Sequence, residues 1–149
     1  MIEGNCLCGG VRFRIDPSEI LLFNNCYCKR CQRESGAGFV SQLQVPVEHF
    51  QWLEGKELIQ RYESSPGLHR AFCRICGSRV PITNDRDIVP VPAGGLNDNP
   101  GVLPEVNIHL QSKAEWAIHD SGIACVADQG STEFWTELMH RKKNPPEYS

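Results

Sequence analysis

Short runs in which apolar and polar residues alternate recur along this chain, with turn residues between them. Val11-Arg-Phe-Arg-Ile15 alternates cleanly before Asp16-Pro17 breaks it. Such period-two runs at close spacing mark antiparallel strands with one buried face, and helical periodicity is scarce until the tail. Ile20–Asn25 reads as a buried strand delivering the chain to Cys26. Phe39–Val45 sets Phe39, Leu43 and Val45 on one face, with Ser35-Gly-Ala-Gly38 as the turn before it. Glu57–Glu63, Leu68–Cys73, Arg79–Thr83, Ile88–Pro92 and Val106–Leu110 are further expected strands, separated by Ser64–Gly67, Asn84-Asp85 and the stretch Gly94–Gly101. The tail differs. Ser131 is placed to cap a helix through Phe134, Trp135, Leu138 and Met139, with Arg141-Lys-Lys143 in its last turn and Pro145-Pro146 stopping it. That helix either packs on the domain or offers a face to a partner, and Asn144–Ser149 is expected to be loose. The pattern predicts an all-β domain, mainly antiparallel, with a short C-terminal helix.

Composition narrows the class. A chain of 149 residues with 40% hydrophobic and 22% charged residues suits one compact domain, here 1–149, rather than a disordered chain. The apolar run Ile20–Phe23 is far short of the roughly 18 residues a membrane span needs, and Met1-Ile-Glu-Gly lacks the start of a secretory signal. A cytoplasmic protein with no membrane partner is expected. A formal charge of -3 supplies no positive field for a polyanion, so no nucleic-acid partner is expected either.

Cysteine spacing carries the chemistry. Seven of the 8 cysteines fall into three tight groups, Cys6-Leu7-Cys8, Cys26-Tyr-Cys28-Lys-Arg-Cys31 and Cys73-Arg-Ile-Cys76, while Cys125 stands alone. In a reducing compartment grouped thiols bind metal or act chemically more often than they form structural disulfides. Four thiolates close a tetrahedral zinc site, and three leave one position open. Cys8 and Cys76 are each followed by glycine, which permits the positive-φ turn of a structural knuckle, whereas Cys31 is followed by Gln32. Cys6, Cys8, Cys73 and Cys76 are therefore assigned to a closed zinc, and Cys26, Cys28 and Cys31 to an open one, giving two zinc ions per chain. Lys29, Arg30 and Arg33 adjoin the open trio and are candidates for holding an anionic ligand; a solvated basic surface is the alternative. Two other uses stay open: one zinc with three spare buried thiols, and a redox-active Cys28-x-x-Cys31. The second expects a βαβ setting, which the β-rich surroundings do not suggest.

The same residues resemble a known family, the glutathione-dependent formaldehyde-activating enzymes, grouped with centromere protein V-like domains. The matching pieces are Asn5-Cys-Leu-Cys-Gly-Gly-Val-Arg-Phe13, Cys26-Tyr-Cys-Lys-Arg-Cys-Gln-Arg33 with Ser35-Gly36 and Phe39, and Phe72-Cys-Arg-Ile-Cys-Gly-Ser78. Gly94-Gly-Leu-Asn-Asp-Asn-Pro100, His109 and Trp116 echo later features. The resemblance runs from about Gly4 to Trp116, so the core is placed at about 4–118 and the helix and tail at about 130–149. It implies a zinc-stapled, β-tent-like fold, with Cys6, Cys8, Cys73 and Cys76 on a structural zinc and Cys26, Cys28 and Cys31 on a catalytic one. It further implies a carbon–sulfur lyase that reversibly joins glutathione and formaldehyde, with a small-molecule thiol and aldehyde as partners.

An open zinc binds a thiol and lowers its pKa, so that a thiolate is available to an aldehyde carbon at neutral pH. A proton must also move on or off oxygen, which suits a histidine. His109 is the first candidate and His69, four residues before Cys73, the second; His49, His119 and His140 read as surface or packing residues. Trp52, Tyr62, Phe72, Trp116 and Trp135 are expected in the core, or one of them in a pocket wall. The rival function is a non-catalytic zinc-binding or interaction module.

Overall fold

A computed structural model describes residues 1–83, 86–117 and 123–143. In chain order the elements are β1 (Ile2–Asn5), β2 (Arg12–Ile15), β3 (Leu22–Cys26), α1 (Lys29–Ser35), β4 (Val40–Pro46), β5 (Phe50–Glu54), β6 (Ile59–Ser65), β7 (Leu68–Cys73), β8 (Ile88–Pro92), β9 (Val106–Ile108), β10 (Ala124–Cys125) and α2 (Thr132–Lys143), with short 3-10 turns between some of them. They form a three-stranded sheet β1-β2-β5, a five-stranded sheet β10-β9-β3-β4-β8 and the hairpin β6-β7. All pairings are antiparallel except β3 with β9 and β9 with β10. The fold is thus mostly β, in antiparallel and mixed sheets, with two helices.

Alternation along the strands builds the core. Phe13 and Ile15 of β2, Leu43 and Val45 of β4 and Val89 and Val91 of β8 are buried together with Ile2 and Phe23. A second cluster joins Cys6, Val11, Ala71, Cys73, Val80 and Ile82, and Trp52 packs against both. Gly4 is required where β1 crosses this core, because a Cβ there would lie 2.4 Å from the Phe13 ring and 2.5 Å from the Gly95 carbonyl oxygen.

Several elements depart from the sequence pattern. β1 and β5 are too short and irregular in polarity to declare themselves, and sheet pairing with β2 makes them strands. α1 falls where the sequence pattern marks no element; its seven residues bury only Cys31 and Gln32, so no helical stripe exists to be seen. Arg79–Thr83 does not form a ladder. It makes one isolated bridge between Phe72 and Arg79, and single N–H bonds from Val80 to Ala71 and Ile82 to Pro90, while Pro81 between them has no N–H to give. β9 ends at Ile108, and β6 begins at Ile59 after a 3-10 turn. α2 begins as expected: the Phe134 N–H donates to Ser131 Oγ at 3.1 Å. Its Lys142 ammonium reaches the Leu21 carbonyl and Glu105 Oε1, tying it to the sheet edge. Tyr62 and Trp116, expected in the core, are 65% and 70% exposed. The turn Asn84-Asp85, His119, Pro145-Pro146 and the rest of the tail lie outside the described residues.

Candidate metal and thiol site

The first cysteine group sits on the turn between β1 and β2, and the third begins at the last residue of β7. Cys6, Cys8, Cys73 and Cys76 meet there, with all their sulfurs within 4.8 Å of one another. Cys6 and Cys8 sulfurs are 3.5 Å apart, and Cys8 and Cys73 sulfurs 3.9 Å. Tetrahedral coordination at about 2.3 Å per sulfur sets sulfur pairs about 3.8 Å apart, so this set fits a single ion. Gly9 and Gly77 follow the second cysteine of each pair at φ 76° and 74°. Those turns place N–H groups at sulfur, as Val11 N–H does on Cys6 Sγ at 3.2 Å. Ser78, given no role in the sequence reading, couples the two knuckles: its Oγ accepts the Leu7 N–H at 3.0 Å and lies 3.3 Å from Cys76 Sγ.

The trio has a different construction. Cys26 closes β3, Cys28 is the N-cap of α1 and Cys31 lies in its first turn, with the three sulfurs again within 4.8 Å of one another. Helix geometry makes the close approach possible, since the Cys31 N–H donates to Cys28 Sγ at 3.4 Å. Gln32 locks the segment from below, its side-chain N–H groups donating to the Tyr27 carbonyl at 2.6 Å and the Ser112 carbonyl at 2.8 Å. Tyr27 is buried against Phe39, with ring centroids 4.8 Å apart. Among the described residues no fourth His, Cys, Asp or Glu ligand atom joins these three sulfurs. Cys26 and Cys31 are buried and Cys28 is half-buried. The helix after Cys28 supplies part of the setting of a redox dithiol, but β4 returns antiparallel to β3, so no βαβ unit exists here.

Without a cation the thiols share protons unevenly. Cys28 accepts from Cys26 and Cys31, and the Cys31 and Arg30 N–H groups help, so its thiol is driven far down. Cys26 rises strongly because it donates to Cys28 and Cys31 and is buried. Cys31 is pulled down by Cys26, but donation to Cys28 and burial outweigh this and raise it. In the four-cysteine set, the Ser78 hydroxyl and N–H hold Cys76 down at about 5. The Gly10 N–H pulls Cys8 down, yet its thiol neighbours led by Cys6, together with burial, push it up to about 11.

The hairpin β6-β7 lies over α1. Ala71 and Cys73 point from one face of β7 into the second core cluster, while Arg70 and Phe72 of the other face, with Tyr62 and Ser64 of β6, meet Arg30, Arg33 and Glu34 around a cavity of about 440 Å³. Lys29, Arg30 and Arg33 are exposed; Arg30 and Arg33 line the cavity, and the Lys29 ammonium donates to Gln32 Oε1 at 3.2 Å. Sequence reasoning missed Arg70. Its Nη1 lies 3.9 Å from Cys31 Sγ and 3.1 Å from Glu34 Oε2. The available signal was a cation three residues before Cys73 in an alternating strand.

His109 directly follows Ile108, the β-partner of Cys26. It is the sole positive-φ non-glycine among the described residues, at φ 59°, and its N–H donates to the Asp128 carbonyl at 2.8 Å. His69 belongs elsewhere. It lines a separate cavity with Gln44, Leu68, Ile82, Ile88 and Pro90 that touches none of the cysteines. Cys125 is exposed on β10, 3.6 Å from Asn107 Nδ2, and joins neither cluster.

Two cysteine clusters able to hold metal ions, set on antiparallel and mixed sheets, define the class of protein. Comparison with known proteins then places the chain within it. The family model described as glutathione-dependent formaldehyde-activating enzyme matches residues 1–112, and the chain belongs to that family. A protein of Halomonas elongata carrying the description "Putative glutathione-dependent formaldehyde-activating enzyme" is 30% identical over 126 residues, covering 78% of this chain and 79% of that one. A crystal structure of a Rhodobacter sphaeroides protein shares the fold, with a TM-score of 0.53 at 23% identity, covering 68% of this chain and 97% of that one. Among the described residues, no helix is long and apolar enough to cross a membrane.

Proposed function

We propose that this protein is a zinc-dependent carbon–sulfur lyase acting on the adduct of a thiol and an aldehyde, with glutathione and formaldehyde as its reactants. Cys6, Cys8, Cys73 and Cys76 would hold a structural zinc, and Cys26, Cys28 and Cys31 a second. The observation that carries the reading is that, among the described residues, no fourth protein ligand joins the trio, while Arg70, 3.9 Å from Cys31 Sγ, lines a cavity with Arg30 and Arg33. When bound there, zinc supplies a coordination position at which a substrate thiol is held as thiolate.

The chain's own residues then do the rest. Arg30, Arg33 and Arg70 face the cavity with only Glu34 opposing them, a charge balance suited to the carboxylates of an anionic peptide thiol. Cys28, the least buried residue of the trio, marks the side on which the thiol arrives. In the synthetic direction the thiol sulfur bonds to the aldehyde carbon, the carbon–oxygen π bond opens, and the proton that left sulfur ends on that oxygen. His109 is assigned to carry this proton, because its strained backbone beside the Cys26 pairing is the kind of outlier that functional sites retain.

Thiol binding to the cobalt-substituted protein tests the reading. Glutathione is expected to change the cobalt–thiolate absorption, a thiol without carboxylates to bind more weakly, and Cys28→Ser to show no response. A spectrum indifferent to every thiol would favour the non-catalytic module. Thiol binding without faster hemithioacetal formation on adding formaldehyde would remove the lyase assignment.

A further inference from the structure

A third cavity, of about 560 Å³, lies between the two knuckles and the 3-10 turn Ala93–Gly95 that follows β8, and the proposed reaction makes no use of it. Leu7 reaches it from the first knuckle, Ser78 and Arg79 from the residues after the second, and Pro92, Leu96 and Asn97 from the end of β8 and the loop beyond. Among the described residues Arg79 is the only charged side chain on its wall. That side chain is only 13% exposed. Its Nη2 donates to Gln42 Oε1 of β4 at 3.0 Å, and its Nε faces Glu34 Oε1 across 3.3 Å. Nη1 is buried and has no hydrogen-bond partner among the described residues. Nor does Arg79 have Glu34 to itself, because the other carboxylate oxygen lies 3.1 Å from Arg70 Nη1. A buried guanidinium with a donor unmet and a shared counter-charge is costly, so the position calls for one more acceptor.

The wall also says what kind of molecule would bring that acceptor. One cation with one unmet N–H matches a single carboxylate, whereas a phosphate would carry further charge that no other cation on this wall meets. Leu7, Pro92 and Leu96 offer apolar surface to the rest of the ligand. We infer that this cavity is a binding site for a small monocarboxylate with a short hydrocarbon chain, its carboxylate on Arg79 and its chain against Leu7, Pro92 and Leu96. Arg30, Arg33 and Arg70 line the cavity assigned to the thiol and Arg79 does not, so occupancy here requires neither the thiol nor an ion on the trio.

Chemical-shift mapping by NMR on the full-length protein as purified, at neutral pH, provides the test, with butyrate as the probe and butyramide as its uncharged match. Butyrate is expected to move the amide signals of Leu7, Ser78, Arg79, Leu96 and Asn97 saturably, and butyramide to bind about 10–100-fold more weakly, the range for losing a hydrogen bond to a charged group. Inorganic phosphate should leave these signals in place. Arg79→Gln should weaken butyrate by a similar factor, while Arg30→Gln combined with Arg33→Gln should leave the response of Leu7 and Leu96 unchanged. Butyrate shifts confined to the surroundings of Arg30, Arg33 and Tyr62 would put the anion in the other cavity and overturn the inference. Equal binding of butyrate and butyramide, saturable binding of phosphate at the same amides, an undiminished response in a folded Arg79→Gln variant, or no saturable shift at all would overturn it as well. If Arg79→Gln does not fold, the mapping on the parent decides, by which signals move and with which probe.

Discussion

The two cysteine clusters use the same ligand atom and nearly the same spacing, yet they relate to the chain in opposite ways. The four-cysteine cluster joins the β1–β2 turn to the end of β7, with Cys8 and Cys73 65 residues apart in sequence. Its sulfurs are presented by backbone turns, and its knuckle tips Leu7 and Ile75 point outward, 85% and 63% exposed. The trio closes within one passage from β3 into α1 and links nothing distant by itself. Its setting is instead side-chain chemistry: Gln32 beneath, Arg70 3.9 Å from Cys31 Sγ, and on the far side of Arg70 a cavity shared with Glu34, Arg30 and Arg33. In the proposed reading, a cluster that closes a long loop serves folding, while a locally preformed trio with no fourth ligand among the described residues would leave a bound ion one position for a ligand.

Cys73→Ser should produce the largest effect. Structural zinc contributes about 10–16 kcal/mol in small zinc-finger peptides, and a whole domain is stable by about 5–15 kcal/mol. The variant is expected to lose its cooperative thermal transition near ambient temperature, measured by circular dichroism. Cys28→Ser should cost one metal ion and all thiol binding while moving the melting temperature far less. Equal destabilisation by the two would erase the distinction between the clusters.

Ser78→Ala comes next. It removes the acceptor of the Leu7 N–H and the hydroxyl against Cys76, for about 1 kcal/mol. Differential scanning calorimetry should show a lower melting temperature with the trio's thiol binding intact; altered thiol binding would mean the clusters communicate. Smallest is the pair Gly9→Ala and Gly36→Ala. Both glycines have positive φ with open space where a Cβ would go, so only backbone strain is added. Each should cost about 1 kcal/mol, a shift of a few degrees, with Gly36→Ala felt at the C-cap of α1 and Gly9→Ala at the first knuckle. No shift in Gly9→Ala would show that the knuckle does not depend on its left-handed turn.

Much of this arrangement was legible in the sequence because metal-ligand spacing is local. Cys6-x-Cys8 and Cys73-x-x-Cys76, each with a following glycine, announce a knuckle whatever the sheet around them does. Strands such as β2 and β4 were legible for the same reason, their alternation being complete within a few residues. What escaped depends on partners remote in sequence. β1 is a strand because β2 pairs with it, and α1 is a helix that buries too little to leave a stripe. Pro81 turned an apparent strand into a connecting segment whose Val80 and Ile82 still fill the core. Arg70 and Glu34 meet only when the hairpin folds over α1, and no local pattern records that. The parallel run of β9 beside β3 has the same cause, since it depends on the path taken after β8.

Metal content of the purified full-length protein, compared with that of Cys28→Ser, tests the central division most directly. Measured by elemental analysis after purification without chelator, the parent is expected to carry two zinc ions per chain and Cys28→Ser one, with the native fold retained. One ion in both proteins would contradict the division of the seven grouped cysteines into a closed four and an open three.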